Sequence, residues 1–153
     1  MSKPKVKNQP RGESVRATQN PESYLSKTPV WRFADFDWDG PFGLESCESV
    51  GAKLIVHIRQ HLASYETMTW NEILSATGGR SVGNNNHLIE VRKFKKSVQE
   101  RLREKKIFVD HLFSLRLDAT TRVYGVRETN ILRIVLFDPF HKDKDRCAYE
   151  FSS

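Results

Sequence analysis

Apolar residues in the C-terminal third of the chain fall in three short runs: Leu112-Phe113-Ser114-Leu115-Arg116-Leu117, Arg122-Val123-Tyr124-Gly125-Val126-Arg127 and Ile131-Leu132-Arg133-Ile134-Val135-Leu136-Phe137. Each is rich in aromatic and branched side chains and reads as a strand. Asp118-Ala119-Thr120-Thr121 joins the first two and Glu128-Thr129-Asn130 the last two. Connections this short predict antiparallel hairpins. The last run is almost continuously apolar, which predicts a central strand covered on at least one face. Asp138-Pro139 ends the ladder, because proline cannot donate to it. Far upstream, Val30 to Phe36 reads as another strand, with turn residues Gly40, Pro41 and Gly43 after it. Trp31, Phe33, Phe36 and Trp38 are read as core aromatics rather than a base-stacking platform.

Between these ends the period lengthens to that of a helix. Val50, Leu54, Ile58 and Leu62 recur every fourth residue, predicting a helix over 46–63 with Ser46 as its N-cap. Thr69-Trp70-Asn71-Glu72 has the spacing of a capping box, predicting a short helix. Val91, Phe94, Val98 and Leu102 predict a further helix over 88–106. The implied fold class is α+β: a single domain over 29–153 in the order βααβββ, with a mainly antiparallel sheet of about four strands and helices packed on one face. Residues 1–28 contain Pro4, Pro10 and Pro21 and little to bury, so they are expected to form a flexible basic arm.

Composition narrows the classes. A chain of 153 residues fits one domain with a tail, and 38% hydrophobic residues suffice for a modest core. No apolar run approaches the ~18 residues of a membrane span, and MSKPKVKNQPRG lacks the apolar stretch of a secretory signal. A cytoplasmic location is expected. Two cysteines, Cys47 and Cys147, exclude a disulfide framework and a four-cysteine zinc site.

The net charge of +6 is uneven. Residues 1–28 hold six bases against two acids, and residues 88–106 eight against three. Such segments favour polyanionic partners, RNA or the ribosome above all. On a continuous helix over 88–106, Arg92, Lys96 and Arg103 share one stripe with Gln99 between them, a face suited to tracking phosphates. A solvated amphipathic helix has a charged face as well. His57 and His61 have the spacing of a metal pair, but Ile58 follows His57, so the His-Glu-x-x-His pattern is absent. With no third ligand evident, no metal site is expected. Gly78 to Asn84 lacks the closing Gly-Lys-Ser/Thr of a phosphate-binding loop.

Arg116, Arg122, Tyr124, Arg127 and Arg133 lie on the predicted strands, and His141 and Lys142 follow them. Arginine, tyrosine, histidine and lysine without an acid cluster suit RNA cleavage that needs no metal or other cofactor. The 2′-hydroxyl is deprotonated and attacks its own phosphorus. Cations stabilise the phosphorane, and histidine, tyrosine or lysine moves the protons. Taken singly, each residue has a plainer reading: strand arginines pairing with acids, a packed tyrosine, a histidine capping a turn.

The element order and the stretch from Leu115 to Arg127, a short turn leading into an arginine-rich strand, resemble the RelE/ParE family of bacterial toxins. The closing strand Ile131 to Phe137 is similar as well. The resemblance implies a toxin of a toxin–antitoxin system that cuts messenger RNA, usually at the ribosome, and is held in check by a partner protein, here an acidic antitoxin. Carried over residue by residue, it implies Arg122, Tyr124, His141 and Lys142 as catalytic groups and Arg116 and Arg127 as phosphate clamps. No tyrosine follows His141 at the family spacing, although Tyr149 is present.

Overall fold

A computed structural model of the chain describes residues 23–43, 56–76 and 86–150. It is a mixed α+β fold built on one five-stranded sheet in the order β1-β5-β4-β3-β2. The strands are β1 (Val30–Arg32), β2 (His87–Glu90), β3 (His111–Arg116), β4 (Arg122–Glu128) and β5 (Ile131–Asp138). β1 runs parallel to β5, with Val30 opposite Ile131, and every other neighbour is antiparallel. The three C-terminal strands match their sequence signals to within a residue or so. Their connections are the tight hairpins expected of three- and four-residue polar links.

Helical structure is shorter than the apolar spacing suggested. A π-helical turn, Ile58–Leu62, leads into α1 (Ala63–Tyr65). The first part of the helix predicted over 46–63, including its Ser46 cap, lies outside the described residues, as does the Gly78–Asn84 loop. α2 (Trp70–Ser75) begins with the capping box read from the sequence. The Glu72 amide donates to Thr69 Oγ1 at 3.3 Å, and the Thr69 amide donates to Glu72 Oε1 at 2.9 Å.

Residues 88–106 are not one helix. They divide into β2, a 3-10 turn (Val91–Lys93) and α3 (Lys96–Glu104). Pairing with β3 outweighs the local period: Leu88 is 54% exposed while Ile89 is buried, the alternation of a strand. Asn86 fixes where β2 starts. Its Nδ2 donates to the Ile73 carbonyl at 2.9 Å, and its Oδ1 accepts from the Arg116 amide at 2.8 Å. The sheet therefore has five strands rather than about four, and the order differs from βααβββ by the extra strand.

Helices do not keep to one face either. Leu62, Trp70 and Ile73 cover Phe113, Leu115, Val123, Leu132, Ile134 and Phe137 on the first face. Phe94, Val98 and Leu102 cover Leu112, Tyr124, Val135 and Leu136 on the second. β5 serves both faces through a bulge. Tyr124 pairs with Leu136 and Gly125 with Ile134, which leaves Val135 as the extra residue.

The first strand is also shorter than expected, because the chain turns away after Arg32. The segment behind it wraps the β5 edge. Phe36 packs on the first face and Phe42 on the second. The Asp37 amide donates to the Val135 carbonyl at 2.8 Å, and the Phe137 amide donates to the Phe42 carbonyl at 2.7 Å. Residues 23–28, counted with the arm on sequence grounds, belong to the fold: Tyr24 lies edge-on to Trp70, whose amide donates to the Lys27 carbonyl.

Candidate functional site

The β3–β4 hairpin places Arg116 directly opposite Arg122, and Arg122 opposite Asp138 of β5. One step along the same face, His87 of β2 pairs with Ser114. Cross-strand partners share a face, so two guanidinium groups and an imidazole line one end of the sheet. The chain after β5 returns across this end. Its turn is fixed by the fully buried Asp138, whose carboxylate accepts from the Phe140 and Ala148 amides at 2.9 Å each. Burial raises the Asp138 pKa against these bonds and against Arg122.

That turn delivers His141, whose amide donates to the Thr120 carbonyl at 2.8 Å. Burial first, then Arg122, His87, Arg116 and Lys142, push its imidazole down to about 4. It is therefore neutral at neutral pH, with a free lone pair but weakened basicity, because burial and the surrounding cations oppose its protonation. Arg122 is half-buried, and its Nη1 donates to the Asp118 and Thr121 carbonyls at 2.7 and 3.1 Å. Burial is the largest influence on it and lowers its pKa. Tyr65, which the sequence reading passed over, stands at the same end. Its hydroxyl donates to the Arg116 carbonyl at 2.6 Å, and burial raises its pKa.

Of the residues singled out in the sequence, Arg116, Arg122, His141 and Lys142 come together. The others do not. Tyr124 is fully buried against Phe94, ring centroids 4.9 Å apart, with no hydrogen bond to its hydroxyl among the described residues. A substrate cannot reach it, which removes it from the catalytic set. Arg127 lies at the far end of β4 on the other face, its guanidinium 3.9 Å from the centre of the Tyr24 ring. Arg92 belongs to the 3-10 turn and pairs with Glu90 at 3.0 Å, so it does not share a continuous helical stripe with Lys96 and Arg103 of α3.

On the first face, the same hairpin turn meets the π-helical segment. His57 and His61 stack with ring centroids 5.2 Å apart. Asp118 Oδ2 lies 3.6 Å from His57 Nε2. One donor atom from each of the three residues lies within 4.8 Å of the others. The expectation of no metal site rested on a missing third ligand; the turn brings Asp118 beside the two histidines as a candidate donor. Asp118 is half-buried. Burial, the largest influence, raises its pKa, but the Thr120 amide, the Thr121 hydroxyl and His57 together hold it below the usual carboxylate value. A cavity of about 260 Å³ adjoins, lined by His57, Asp118, Thr120, Thr121, Phe137, Pro139 and Phe140. Sequence spacing could not reveal Asp118 as a partner of His57, since sixty residues and seven described elements, from the π-helical turn to β3, separate them. The Asp-x-Thr turn was its only local signal.

Comparison with protein-family models, with curated proteins and with solved structures returns no match. Among the described residues, no helix is long and apolar enough to cross a membrane.

Proposed function

We propose that the chain is a RelE-like toxin that binds messenger RNA at the Arg116–Arg122–His141 end of the sheet and cleaves it at the ribosome. One observation carries this reading: two arginines stand directly opposite each other in register, with His87 and His141 beside them. Like charges at a cross-strand pair repel, and a bridging phosphate relieves that repulsion. Neutral His141 takes the proton of the 2′-hydroxyl, Arg122 and Arg116 stabilise the phosphorane, and exposed Lys142 protonates the leaving oxygen at the rim. An acidic antitoxin protein covers the same cations when the toxin is held inactive.

The burial of Tyr124 and the distance of Arg127 favour a second reading, a non-catalytic RNA- or ribosome-binding module, because they leave fewer groups to move protons. Incubation with translating ribosomes in magnesium buffer, beside incubation with free RNA in EDTA, separates the two. Cleavage should give 2′,3′-cyclic phosphate ends. Arg122→Ala should cost about 2.7–4 kcal/mol of transition-state stabilisation, and His141→Ala about 10²–10⁴-fold in rate. Salt-sensitive binding without product selects the module. Neither binding nor cleavage ends both readings.

A further inference from the structure

We propose that His57, His61 and Asp118 bind one divalent transition-metal ion, zinc being the best match to their donor atoms. This site does not rest on the ribonuclease reading. Two imidazoles and one carboxylate are a donor set that holds zinc while leaving a fourth position for water or substrate. Bonds of about 2.0–2.2 Å place donors roughly 3.3 Å apart around a tetrahedral ion. His57 Nε2 and Asp118 Oδ2 already stand at 3.6 Å, and no separation in the trio exceeds 4.8 Å. Small side-chain rotations close the rest.

The surroundings are built for ligation. Asp118 Oδ1 accepts from the Thr120 amide at 2.9 Å and from its hydroxyl at 3.3 Å. Oδ2 is thereby turned to the histidines, in the way outer hydrogen bonds orient a ligating carboxylate. His57 Nδ1 is buried without a hydrogen-bond partner among the described residues, so no competing bond holds this ring in a purely structural role. The backbone carrying His61 is wound as a π-helix, a rare geometry concentrated at functional sites. The 260 Å³ cavity beside His57 and Asp118 gives the open coordination position somewhere to face. A simple His57–Asp118 ion pair accounts for none of the His61 stacking.

The test uses the full chain, stripped with a chelator and titrated calorimetrically with zinc. Cobalt(II) titration reports the ligand field through its visible absorption. One equivalent should bind. His61→Gln and Asp118→Asn should each weaken binding at least about 100-fold, beyond the 10–100-fold lost with an outer-shell partner. His111→Gln, at the exposed start of β3, should bind as wild type does. Circular dichroism confirms that each variant is folded. Absence of zinc binding, or equal affinity in wild type and both ligand variants, overturns the site. Cleavage in EDTA is a separate measurement, so either proposal can fail while the other stands.

Discussion

Arg101→Met should be the most damaging single change on the surface of α3. The Arg101 guanidinium donates through Nε to Asp37 Oδ2 at 2.9 Å and through Nη2 to Asp37 Oδ1. The Asp37 side chain is 2% exposed and that of Arg101 30%. Removing the arginine strands a buried carboxylate, which costs about 3–5 kcal/mol. Water can follow the vacated path of the partly exposed guanidinium, so the lower end, about 3 kcal/mol, is expected. For a chain of this length, about 2–4 °C per kcal/mol gives a fall of about 6–12 °C in Tm. Urea unfolding checks the free energy and calorimetry the midpoint. Arg103→Met, exposed on the same helix, is the control and should stay within about 0.5 kcal/mol. If Arg101→Met costs less than about 1 kcal/mol, the scale of an exposed pair, Asp37 is not held as a buried charge and the reasoning fails.

Tyr124→Phe removes a buried hydroxyl with no partner among the described residues. It should change stability by less than about 1 kcal/mol and leave any cleavage intact, whereas a large loss of cleavage would return Tyr124 to the active set. Gly125→Ala should destabilise by about 3 kcal/mol, because a Cβ at this bulge position collides with the Arg133 carbonyl; an unchanged denaturation midpoint would mean that β4 and β5 are not that close. His141 titrates near 6.5 when unfolded and about 4 when folded, so the unfolded chain binds the extra proton between those values. Its contribution to stability is complete above about pH 6.5 and is lost as pH falls to about 4. Urea midpoints at pH 7 and pH 5 should therefore differ less in His141→Gln than in wild type, and an equal difference would place the imidazole in open solvent.

The hairpins of β3, β4 and β5 were legible because each strand's apolar pattern was bounded by a polar turn too short to allow any other connection. The capping box of α2 was legible for a similar reason: Thr69 and Glu72 satisfy each other's backbone donors locally. Residues 88–106 were misread because Val91, Phe94, Val98 and Leu102 keep a helical spacing although Val91 lies in the 3-10 turn, Phe94 between elements, and only Val98 and Leu102 in α3. What decides them is nonlocal, the pairing of Ile89 with Leu112 and the anchoring of Asn86. At the site, Arg116, Arg122 and His141 could be suspected from residue type and strand position. Tyr124 was misjudged because alternation reveals which face a residue occupies, not that Phe94 seals that face. Asp118 needed the fold itself to bring a hairpin turn against His57.

The parallel pairing of β1 with β5 bears on how the chain folds. Val30 meets Ile131, so a loop of about 100 residues must close for this ladder to form, at an entropic cost of about 4 kcal/mol. Three register pairs return little against that. The β3–β4–β5 meander closes loops of only a few residues and can assemble first. β1 then docks late, held by side chains more than by its ladder: Trp31 donates to the Leu62 carbonyl at 3.2 Å and lies edge-on to Tyr65 and Trp70. Changes at Trp31 should accordingly speed unfolding while leaving the folding rate nearly untouched.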